Sequence, residues 1–477
     1  MEFDTSAPIN QYFTELTRIP RGSYHEKAVS RYLIAFAKDH GLPYVEGPLY
    51  DVIISKPAAP GYEKAAPLIL QSHIDMVNVK DVGSDHDFSK DPLKLRVVDG
   101  WLMATGTTLG ADDGVGVAYM LAILADDALA HPALQCIFTA QEETGMGGAL
   151  ALKPSDIHAS RMIGLDGGGQ NVTLTTCSGG NTAYLRHELA WQANTDGAYR
   201  LAVTGLQGGH SGDQIHMQRG NANKIAARIL KQLQLDGIRL RLVSLDGGSK
   251  GNAIPDQATA VFTSRMPSAR IMAALEPIVT AITAELAQSD PGLQVVMTSA
   301  KAARCLTPRC SRQVIDMFYL APDGMVARSL AVKGLTVTSL NLGIVRTGRT
   351  AVEGTFVVRS AIDSAVTDLD QRLQTVADMC GGSFAIADRY PGWSYQPVSA
   401  MRRLLKQALK KTTGQKLVME ATHGGVECGV FKGLQPKMDI VVVGPRAEGC
   451  HTPRERLDIA SFKTTYDILV SLIALCR

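Results

Sequence analysis

The sequence lacks the features that mark several classes of protein. None of its apolar runs reaches the ~18 residues that a membrane-spanning helix needs. Its first residues, Met1 to Asp4, contain neither a basic nor an apolar segment, so we expect no secretory signal. No phosphate-binding motif of the form G-x-x-x-x-G-K-[ST] is present either, despite several glycine clusters. The sequence therefore disfavours a membrane protein, a secreted protein and a P-loop nucleotide-binding protein.

Two further absences concern net charge and cysteine pairing. The 48 basic and 46 acidic residues leave a formal net charge of +2, which predicts no extended basic surface for nucleic acid or acidic membranes. The eight cysteines include no C-x-x-C pair. In a chain of this length, that distribution indicates reduced thiols in a cytoplasmic protein rather than a disulfide framework.

The composition that is present is typical of a globular protein. Hydrophobic residues make up 45% and charged residues 20% of the 477 positions. The chain is longer than one ordinary hydrophobic core requires, so we expect two domains. Near the amino terminus, residues 9–40 show helical periodicity in two stretches, and Ser23 is expected to cap the second helix.

Acidic residues and histidines follow four apolar, strand-like segments. Runs of Val, Ile and Leu without alternation are typical of strands buried on both faces of a sheet, and ligands bind such sheets beyond the carboxyl ends of the strands. The segments are 67–76 with His73 and Asp75, 134–139 before Glu142 and Glu143, 161–168 with Asp166, and 438–445 before His451. Because residues two apart on a strand face the same side, His73 and Asp75 are expected to point into one site.

A glycine-flanked turn adds one more carboxylate. Residues 106–114 lead into an apolar helix over 115–122, so Asp112 is expected in or just before the first helical turn. The glycines around it allow backbone and ligands to approach closely. Asp112 therefore joins the residues that follow the four strands.

These side chains suit zinc and related divalent ions. The candidate set consists of His73, Asp75, Asp112, Glu142, Glu143, Asp166 and His451. Seven residues are too many for one tetrahedral ion, but they suit two ions that share a carboxylate, for which Asp112 is the expected bridge. Asp75 is expected to orient His73, and a carboxylate beside the metal-activated water is expected to act as general base. Taken singly, each residue also has an ordinary explanation as a helix cap, a turn former or a solvated side chain.

The region between about residues 185 and 388 has a different character. Strand-like and helical segments follow in the order βαββαβ over residues 199–297, which predicts a small two-layer α+β domain. A looser version follows, with helices near 311–320 and 364–379 and strands near 334–341 and 354–359. We therefore expect an inserted domain at 185–388 that contains a duplicated unit, between two parts of a catalytic domain at 1–184 and 389–477.

Several ordered motifs carry a resemblance to a known family. They are residues 72–77, 87–92, 106–114, 142–146, 208–212, 221–224 and 426–429. Together they resemble the aminoacyl-histidine (Xaa-His) dipeptidase branch of the M20 metallopeptidase family. The resemblance spans nearly the whole chain, and it implies a doubly wound, mixed-sheet catalytic domain of the dizinc exopeptidase type with an inserted α+β lid domain.

The resemblance also implies a division of the metal ligands between two ions. The matching positions are His73 and Asp166 for one ion, Glu143 and His451 for the other, and Asp112 as the bridge. The implied ions are Zn²⁺, with Co²⁺ or Mn²⁺ as alternatives. Asp113 follows the bridge where this branch often has Asn, which adds negative charge but leaves the ligand set intact.

Further roles are implied for catalysis. Glu142 matches the general base, and Asp75 matches the residue that supports the first histidine. An Asp at position 166 is typical of family members that act on substrates with a free amine, whereas a Glu is typical of carboxypeptidases and deacylases. The resemblance therefore favours a dipeptidase.

Two positions are implied to bind substrate, namely His210 and Asn252, and Asn252 also has an ordinary explanation as a turn residue before a strand. Gly425 is a further candidate, because it lies in the stretch 422–427 that is expected to line the pocket. His210 would stabilise the oxyanion when the lid domain closes. The expected partner is a dipeptide, with no nucleic acid and no membrane, and the expected protein is a monomer or a homodimer. Two alternatives stay open, namely another M20 hydrolase such as an N-acyl amino-acid deacylase or a tripeptidase, and a non-catalytic peptide-binding homologue.

Overall fold

The computed structural model of the chain describes residues 3–477, in two compact units. The first unit contains the chain up to Thr176, Trp393–Ala421 and Val426–Arg477, and the second contains Cys177–Gly392 and Thr422–Gly425. The expected limits of the inserted domain, residues 185 and 388, fall within strands. Among residues 3–477, no helix is long and apolar enough to cross a membrane.

The helices, in chain order, are α1 (Pro8–Leu16), α2 (Lys27–Asp39), α3 (Ala111–Ala125), α4 (Gly147–Ala151), α5 (Ala222–Leu235), α6 (Ser268–Glu285), α7 (Pro308–Leu320), α8 (Asp363–Cys380), α9 (Ala400–Thr413), α10 (Glu427–Leu434) and α11 (Ile459–Leu475). Short 3-10 turns lie at Glu142–Thr144, Pro154–Asp156 and Ile215–Met217.

The strands, in chain order, are β1 (Tyr44–Glu46), β2 (Val52–Lys56), β3 (Leu68–His73), β4 (Leu95–Val98), β5 (Trp101–Ala104), β6 (Leu134–Thr139), β7 (Arg161–Gly164), β8 (Val172–Leu174), β9 (Gly179–Glu188), β10 (Trp191–Ala193), β11 (Gly197–Thr204), β12 (Gly209–His210), β13 (Leu240–Gly247), β14 (Ala253–Ile254), β15 (Ala258–Ser264), β16 (Gln294–Ala300), β17 (Arg304–Leu306), β18 (Gly324–Arg328), β19 (Thr336–Thr347), β20 (Ala351–Ser360), β21 (Ser383–Tyr390), β22 (Val418–Glu420), β23 (Asp439–Val442), β24 (Ala447–Glu448) and β25 (Arg456–Asp458).

A six-stranded mixed sheet with the order β1-β2-β6-β3-β7-β23 forms the centre of the first unit. Strands β6, β3, β7 and β23 are parallel to one another, and β1 and β2 add an antiparallel edge. These four parallel strands are the apolar segments that precede the candidate site residues. Their carboxyl ends therefore lie along one edge of the sheet, and the predicted mixed α/β fold is confirmed.

Both faces of this sheet are covered, as the unbroken apolar runs indicate. Every residue of β3 and of β6 is buried. Leu68 and Leu70 belong to the main hydrophobic cluster of the first unit, together with residues of α1, α2, α3, α9 and α11. On the other face, Gln71 donates a hydrogen bond of 2.6 Å from Nε2 to Glu427 Oε2 at the start of α10. Helices therefore lie on both sides of the strands.

The start of α2 differs from the sequence prediction. The helix begins at Lys27 with Glu26 at the N-cap, so the expected capping role of Ser23 is wrong. Ser23 instead donates a 2.8 Å hydrogen bond from Oγ to Asp75 Oδ2. A short hydroxyl side chain serves equally well as a cap or as a donor to a nearby carboxylate, and the tertiary contact prevails here.

The entry into α3 is irregular at the candidate bridging residue. Gly110 precedes the helix with a φ of +66°, in the left-handed region. Asp112 and Asp113 have non-helical backbone angles and are joined by a cis peptide bond. Asp112 is therefore at the beginning of the helix, as predicted, but outside its regular hydrogen-bonded geometry.

The second unit is built around one nine-stranded sheet, to which both parts of the predicted insertion contribute strands. Its order is β16-β11-β15-β13-β19-β20-β9-β21, and β18 pairs with β19 at its side. All neighbouring strands are antiparallel. Helices α5, α6, α7 and α8 contribute to a separate hydrophobic cluster with the strands. The secondary structure of the second unit is therefore of the α+β type, as predicted.

Candidate metal centre

His73 is the last residue of β3 and lies beside the start of α3. Its ring is buried, and its Nε2 is 2.9 Å from Asp112 Oδ1. The other ring nitrogen, Nδ1, is 3.4 Å from Asp75 Oδ1. Burial alone lowers the pKa of His73, but the hydrogen bonds with Asp112 and Asp75 reverse this effect and raise the pKa well above its usual value.

Asp75 reaches His73 by a route that the sequence did not predict. Strand β3 ends at His73, so the two residues do not share a face of a strand as expected. Asp75 lies beyond the strand end and accepts hydrogen bonds from the backbone N–H groups of Glu142 and Glu143, at 3.0 and 3.3 Å, as well as from Ser23. One carboxylate thus fixes both the imidazole ring and the backbone of the two glutamates.

Glu143 and His451 face the second oxygen of Asp112. His451 Nε2 is 3.0 Å from Glu143 Oε1 and 3.3 Å from Asp112 Oδ2. Glu143 lies in the 3-10 turn that follows β6, and His451 lies in the loop between β24 and β25. Asp112 therefore directs Oδ1 towards one histidine and Oδ2 towards the other, which is the arrangement that a bridging carboxylate needs.

Asp166 follows β7 by two residues, at the next strand end along the sheet. The next residue, Gly167, packs closely against Gly444, since a Cβ added at Gly167 would lie only 2.6 Å from the backbone nitrogen of Gly444. The absence of side chains at these two glycines therefore allows the position of Asp166. Burial, reinforced by the charge of Asp112, raises the pKa of Asp166 to about 7. Asp166 is therefore electrostatically coupled to the cluster formed by the other strand ends.

The charge balance of this cluster fits a metal centre. Burial and the neighbouring carboxylates, Asp166 foremost, raise the pKa of Glu142 to about 8. Ligand atoms of His73, Asp112 and Glu143 lie within 4.8 Å of one another. Crowded carboxylates that resist ionisation indicate a shortage of positive charge, which divalent cations held by imidazole and carboxylate groups would supply. The residues present can therefore hold a metal.

The sequence also matches the model of peptidase family M20/M25/M40 over residues 69–475. The chain belongs to this family. It is 33% identical to the cytosol non-specific dipeptidase of Escherichia coli (strain K12) over 98% of this chain and 97% of that protein. The resemblance noted in the sequence is thereby confirmed, as is the prediction of a hydrolase that acts on peptide bonds.

Two solved structures share the fold of this chain. The crystal structure of aminoacylhistidine dipeptidase from Vibrio alginolyticus is similar with a TM-score of 0.92 and 32% identity, covering 100% of this chain and 98% of that one. Aminopeptidase PepT from Bacillus cereus shares the fold with a TM-score of 0.56 at 17% identity, covering 100% of both chains.

Three buried residues of this M20 peptidase support the cluster, and two of them, Arg21 and Glu455, were not predicted as site residues. Arg21 and Glu455 contact the segment before Asp112, and Glu427 accepts a 2.7 Å hydrogen bond from Thr139 Oγ1 at the end of β6. Burial and the charge of Glu142 raise the pKa of Glu427 well above its usual value. Glu427 belongs to a motif quoted for the resemblance, but neither Arg21 nor Glu455 has a spacing that links it to Asp112.

Two of the predicted substrate residues lie side by side in the second unit. Strand β12 pairs with β14, which puts His210 opposite Ala253. The backbone N–H of Ser211 donates a 2.8 Å hydrogen bond to the carbonyl of Asn252. His210 Nδ1 is also 3.1 Å from Asp213 Oδ2. The fold of the second unit thus joins two loops that are distant in sequence.

The third predicted substrate residue, Gly425, is in the same unit beside Tyr390. A Cβ at Gly425 would lie 2.6 Å from the Tyr390 ring, so a larger residue there would displace the ring. Tyr390 Oη accepts a 3.3 Å hydrogen bond from Arg359 Nη1, and Arg359 Nε is buried with no hydrogen-bond partner among residues 3–477. A Cβ at Gly212 would be 3.0 Å from His210 and 3.7 Å from Arg359, so both side chains flank this glycine. No sequence motif marks Arg359 as a site residue.

Proposed function

We propose that this M20 peptidase is a dipeptidase that hydrolyses the peptide bond of dipeptides, Xaa-His dipeptides among them, with a metal-activated water. The observation that carries the proposal is the division of the two Asp112 oxygens between two histidines. His73, at the carboxyl end of β3, is 2.9 Å from one oxygen, and His451 is 3.3 Å from the other. The names of the Escherichia coli and Vibrio alginolyticus relatives, both dipeptidases, support the substrate class.

Two divalent ions are proposed for the centre. His73 and Asp166 would hold one ion, Glu143 and His451 the other, and Asp112 would bridge them. Imidazole and carboxylate ligands favour Zn²⁺, with Co²⁺ or Mn²⁺ as alternatives. The ions would supply Lewis acidity that polarises the scissile carbonyl and lowers the pKa of a water.

Glu142 is the proposed general base. Its backbone is fixed by Asp75, while its side chain stays free of the ion pairs that occupy Glu143 and Asp112. Glu142 would take a proton from the attacking water and deliver it to the amine nitrogen as the C–N bond breaks. Positive charge in the centre would lower its raised pKa, so that the carboxylate is ionised at neutral pH.

His210, Asn252 and Gly425 are proposed to contact substrate, and we add Arg359 to this set. A dipeptide carries a terminal carboxylate, and a guanidinium with a buried, unpartnered Nε offers donors to such a group. His210 would stabilise the oxyanion that forms at the scissile carbonyl.

A cytosolic enzyme is proposed, in keeping with the name of the Escherichia coli relative. A dipeptide is the proposed partner, with no nucleic acid or membrane partner, and the protein is proposed to be a monomer or a homodimer.

A substrate panel tests the proposed activity. The metal-loaded protein is incubated with free dipeptides, including Xaa-His members, and with the same dipeptides acetylated at the amine, with N-acetyl amino acids and with tripeptides. We expect cleavage of the free dipeptides and little cleavage of the blocked substrates. Exclusive cleavage of blocked substrates would indicate a deacylase, exclusive cleavage of tripeptides would indicate a tripeptidase, and the absence of any turnover would favour a binding protein.

A further inference from the structure

Glu455 is buried in the first unit, four residues after His451. Its carboxylate accepts hydrogen bonds from backbone N–H groups, that of Asp112 included, and from no side chain of a candidate metal ligand. Glu455 is only 2% exposed. Its Oε2 accepts from the N–H groups of Leu109 and Gly110, at 2.7 and 3.0 Å. Its Oε1 accepts from the N–H groups of Ala111 and Asp112, at 2.8 and 3.4 Å. One carboxylate thus binds four successive amides of the segment that carries the bridging residue.

These four amides lie where the backbone has no partners of its own. The first N–H groups of an α-helix lack intrahelical acceptors, and the non-helical angles at Asp112 extend this deficit. A carboxylate at such a helix start is stabilised by the converging amide dipoles. Burial raises the pKa of Glu455, and its hydrogen bonds with these amides oppose that effect.

Arg21 holds the opposite side of the same segment. Its guanidinium, 2% exposed, donates to the carbonyl of Gly110 at 2.5 Å and to the carbonyls of Ile74 and Asp75 at 3.0 Å each. It therefore links the segment of Asp112 to the residues just after His73. Space for it comes from two glycines, because a Cβ at Gly110 or Gly114 would lie 2.5 or 2.6 Å from Arg21 Nη2.

We propose that Glu455 is a positioning residue that fixes the loop of His451 against the segment of Asp112. His451 and Glu455 belong to one short loop, in which the N–H of Glu455 donates to the carbonyl of Thr452 at 3.0 Å. With the carboxylate anchored on four amides, the distance of 3.3 Å between His451 Nε2 and Asp112 Oδ2 is set by a rigid connection. The inference rests on the proposed function, since it concerns the ion that His451 and Asp112 would share.

The expected consequence is selective. Arg21 ties Asp112 to the His73 side of the centre, and Glu455 ties it to the His451 side. Loss of the Glu455 carboxylate should therefore weaken the ion on the His451 side and leave the ion on the His73 side in place. A purely structural role would instead lower the melting temperature of the protein without distinguishing between the two ions.

The test compares Glu455→Gln with wild type and with Glu448→Gln. In Glu455→Gln the side chain keeps its size, but an amide NH₂ replaces one acceptor oxygen and faces backbone donors. Glu448 is a matched control in the same loop region, since it is paired with Arg446 and Arg456 and accepts no hydrogen bond from residues 109–112. Metal stoichiometry is measured by equilibrium dialysis, and the visible spectrum is followed during Co²⁺ titration of the metal-free proteins.

We expect wild type and Glu448→Gln to bind two ions, and Glu455→Gln to bind the second ion about tenfold to a hundredfold more weakly. Unchanged affinity and an unchanged Co²⁺ spectrum in a folded Glu455→Gln protein would overturn the inference. If wild type itself bound no ions, the proposed function would fail instead.

A second variant keeps the test decisive if Glu455→Gln does not fold. Glu455→Asp retains the charge but withdraws the carboxylate by one methylene group. We expect it to fold and to bind the second ion more weakly than wild type, with kcat lowered more than KM is raised. Wild-type affinity for both ions in Glu455→Asp would overturn the inference in that case.

Discussion

Asp112 and His451 show how single residues define the chemistry of this centre. Each oxygen of Asp112 faces a different histidine, so one side chain can serve two ions. His451 is more exposed than His73, and its hydrogen bonds with Asp112 and Glu143 raise its pKa to about 10. In the metal-free protein, a proton on His451 therefore occupies the place of a cation.

Metal binding should accordingly depend on pH. The pKa of His451 is higher in the folded state than in the unfolded state, so protonation of His451 stabilises the metal-free fold. This stabilisation is fully present below about pH 6.5 and is lost as the pH rises through about 10. An ion must displace this proton, so we predict that metal affinity rises about tenfold per pH unit between about pH 6 and about pH 9. Competition with a chelator of known proton affinity measures it, and an affinity independent of pH would contradict the prediction.

At the scale of elements, the strand ends were predictable and the supports behind them were not. The apolar runs before His73, Glu142 and Asp166 are local signals, and parallel pairing brings their ends together. Glu455 and Arg21 contact the segment before Asp112 from positions 344 and 89 residues away in the sequence. Both bind backbone amides or carbonyls, which carry no residue-specific pattern. Ser23 illustrates the same limit, because a local pattern predicts a helix cap whereas its actual partner, Asp75, is 52 residues away.

The loops that follow β7 and β23 provide a test at this scale. Gly167 and Gly444 approach so closely that a Cβ at Gly444 would overlap the backbone of Gly167, next to Asp166. We predict that Gly444→Ala pushes the loop of Asp166 away, costs about 1–3 kcal/mol of stability and reduces metal content. Denaturant unfolding and metal analysis measure the two effects.

Gly168→Ala is the matched control, because a Cβ at Gly168 meets no atom within 4 Å and its φ is not positive. It should keep the stability and the metal content of the wild type. Equal metal content in Gly444→Ala and Gly168→Ala would refute the idea that this glycine contact places Asp166.

At the scale of the whole molecule, the two units have separate cores, and the candidate ligands all lie in the first. The sheet of the second unit consists of two halves, β13-β15-β11-β16 and β19-β20-β9-β21. If the four strands of each half are numbered in chain order, the two halves have the same strand order across the sheet. We propose that this agreement reflects the duplicated α+β unit expected from the sequence, with the first half inserted after β9 of the other.

Chelation should therefore act on the first unit alone. A ligand present at a hundredfold excess over its Kd stabilises the folded state by about 2.7 kcal/mol, and its removal should lower protection from hydrogen exchange in the unit that binds it. We predict faster exchange around α3, the turn after β6 and the loop before β25 when EDTA is added. Unchanged exchange is expected in α5 to α8, and an equal loss of protection in the second unit would contradict the prediction.

We propose that the adjacent carboxylates of Glu142 and Glu143 have different functions, Glu142 in proton transfer and Glu143 in metal binding. The most direct measurement determines metal content and dipeptide hydrolysis together in Glu142→Gln and in Glu143→Gln. We predict that Glu142→Gln keeps both ions and loses about 10²–10⁴-fold in kcat, whereas Glu143→Gln loses metal. Near-normal turnover by Glu142→Gln, or loss of its metal, would contradict the assignment of Glu142 as the general base.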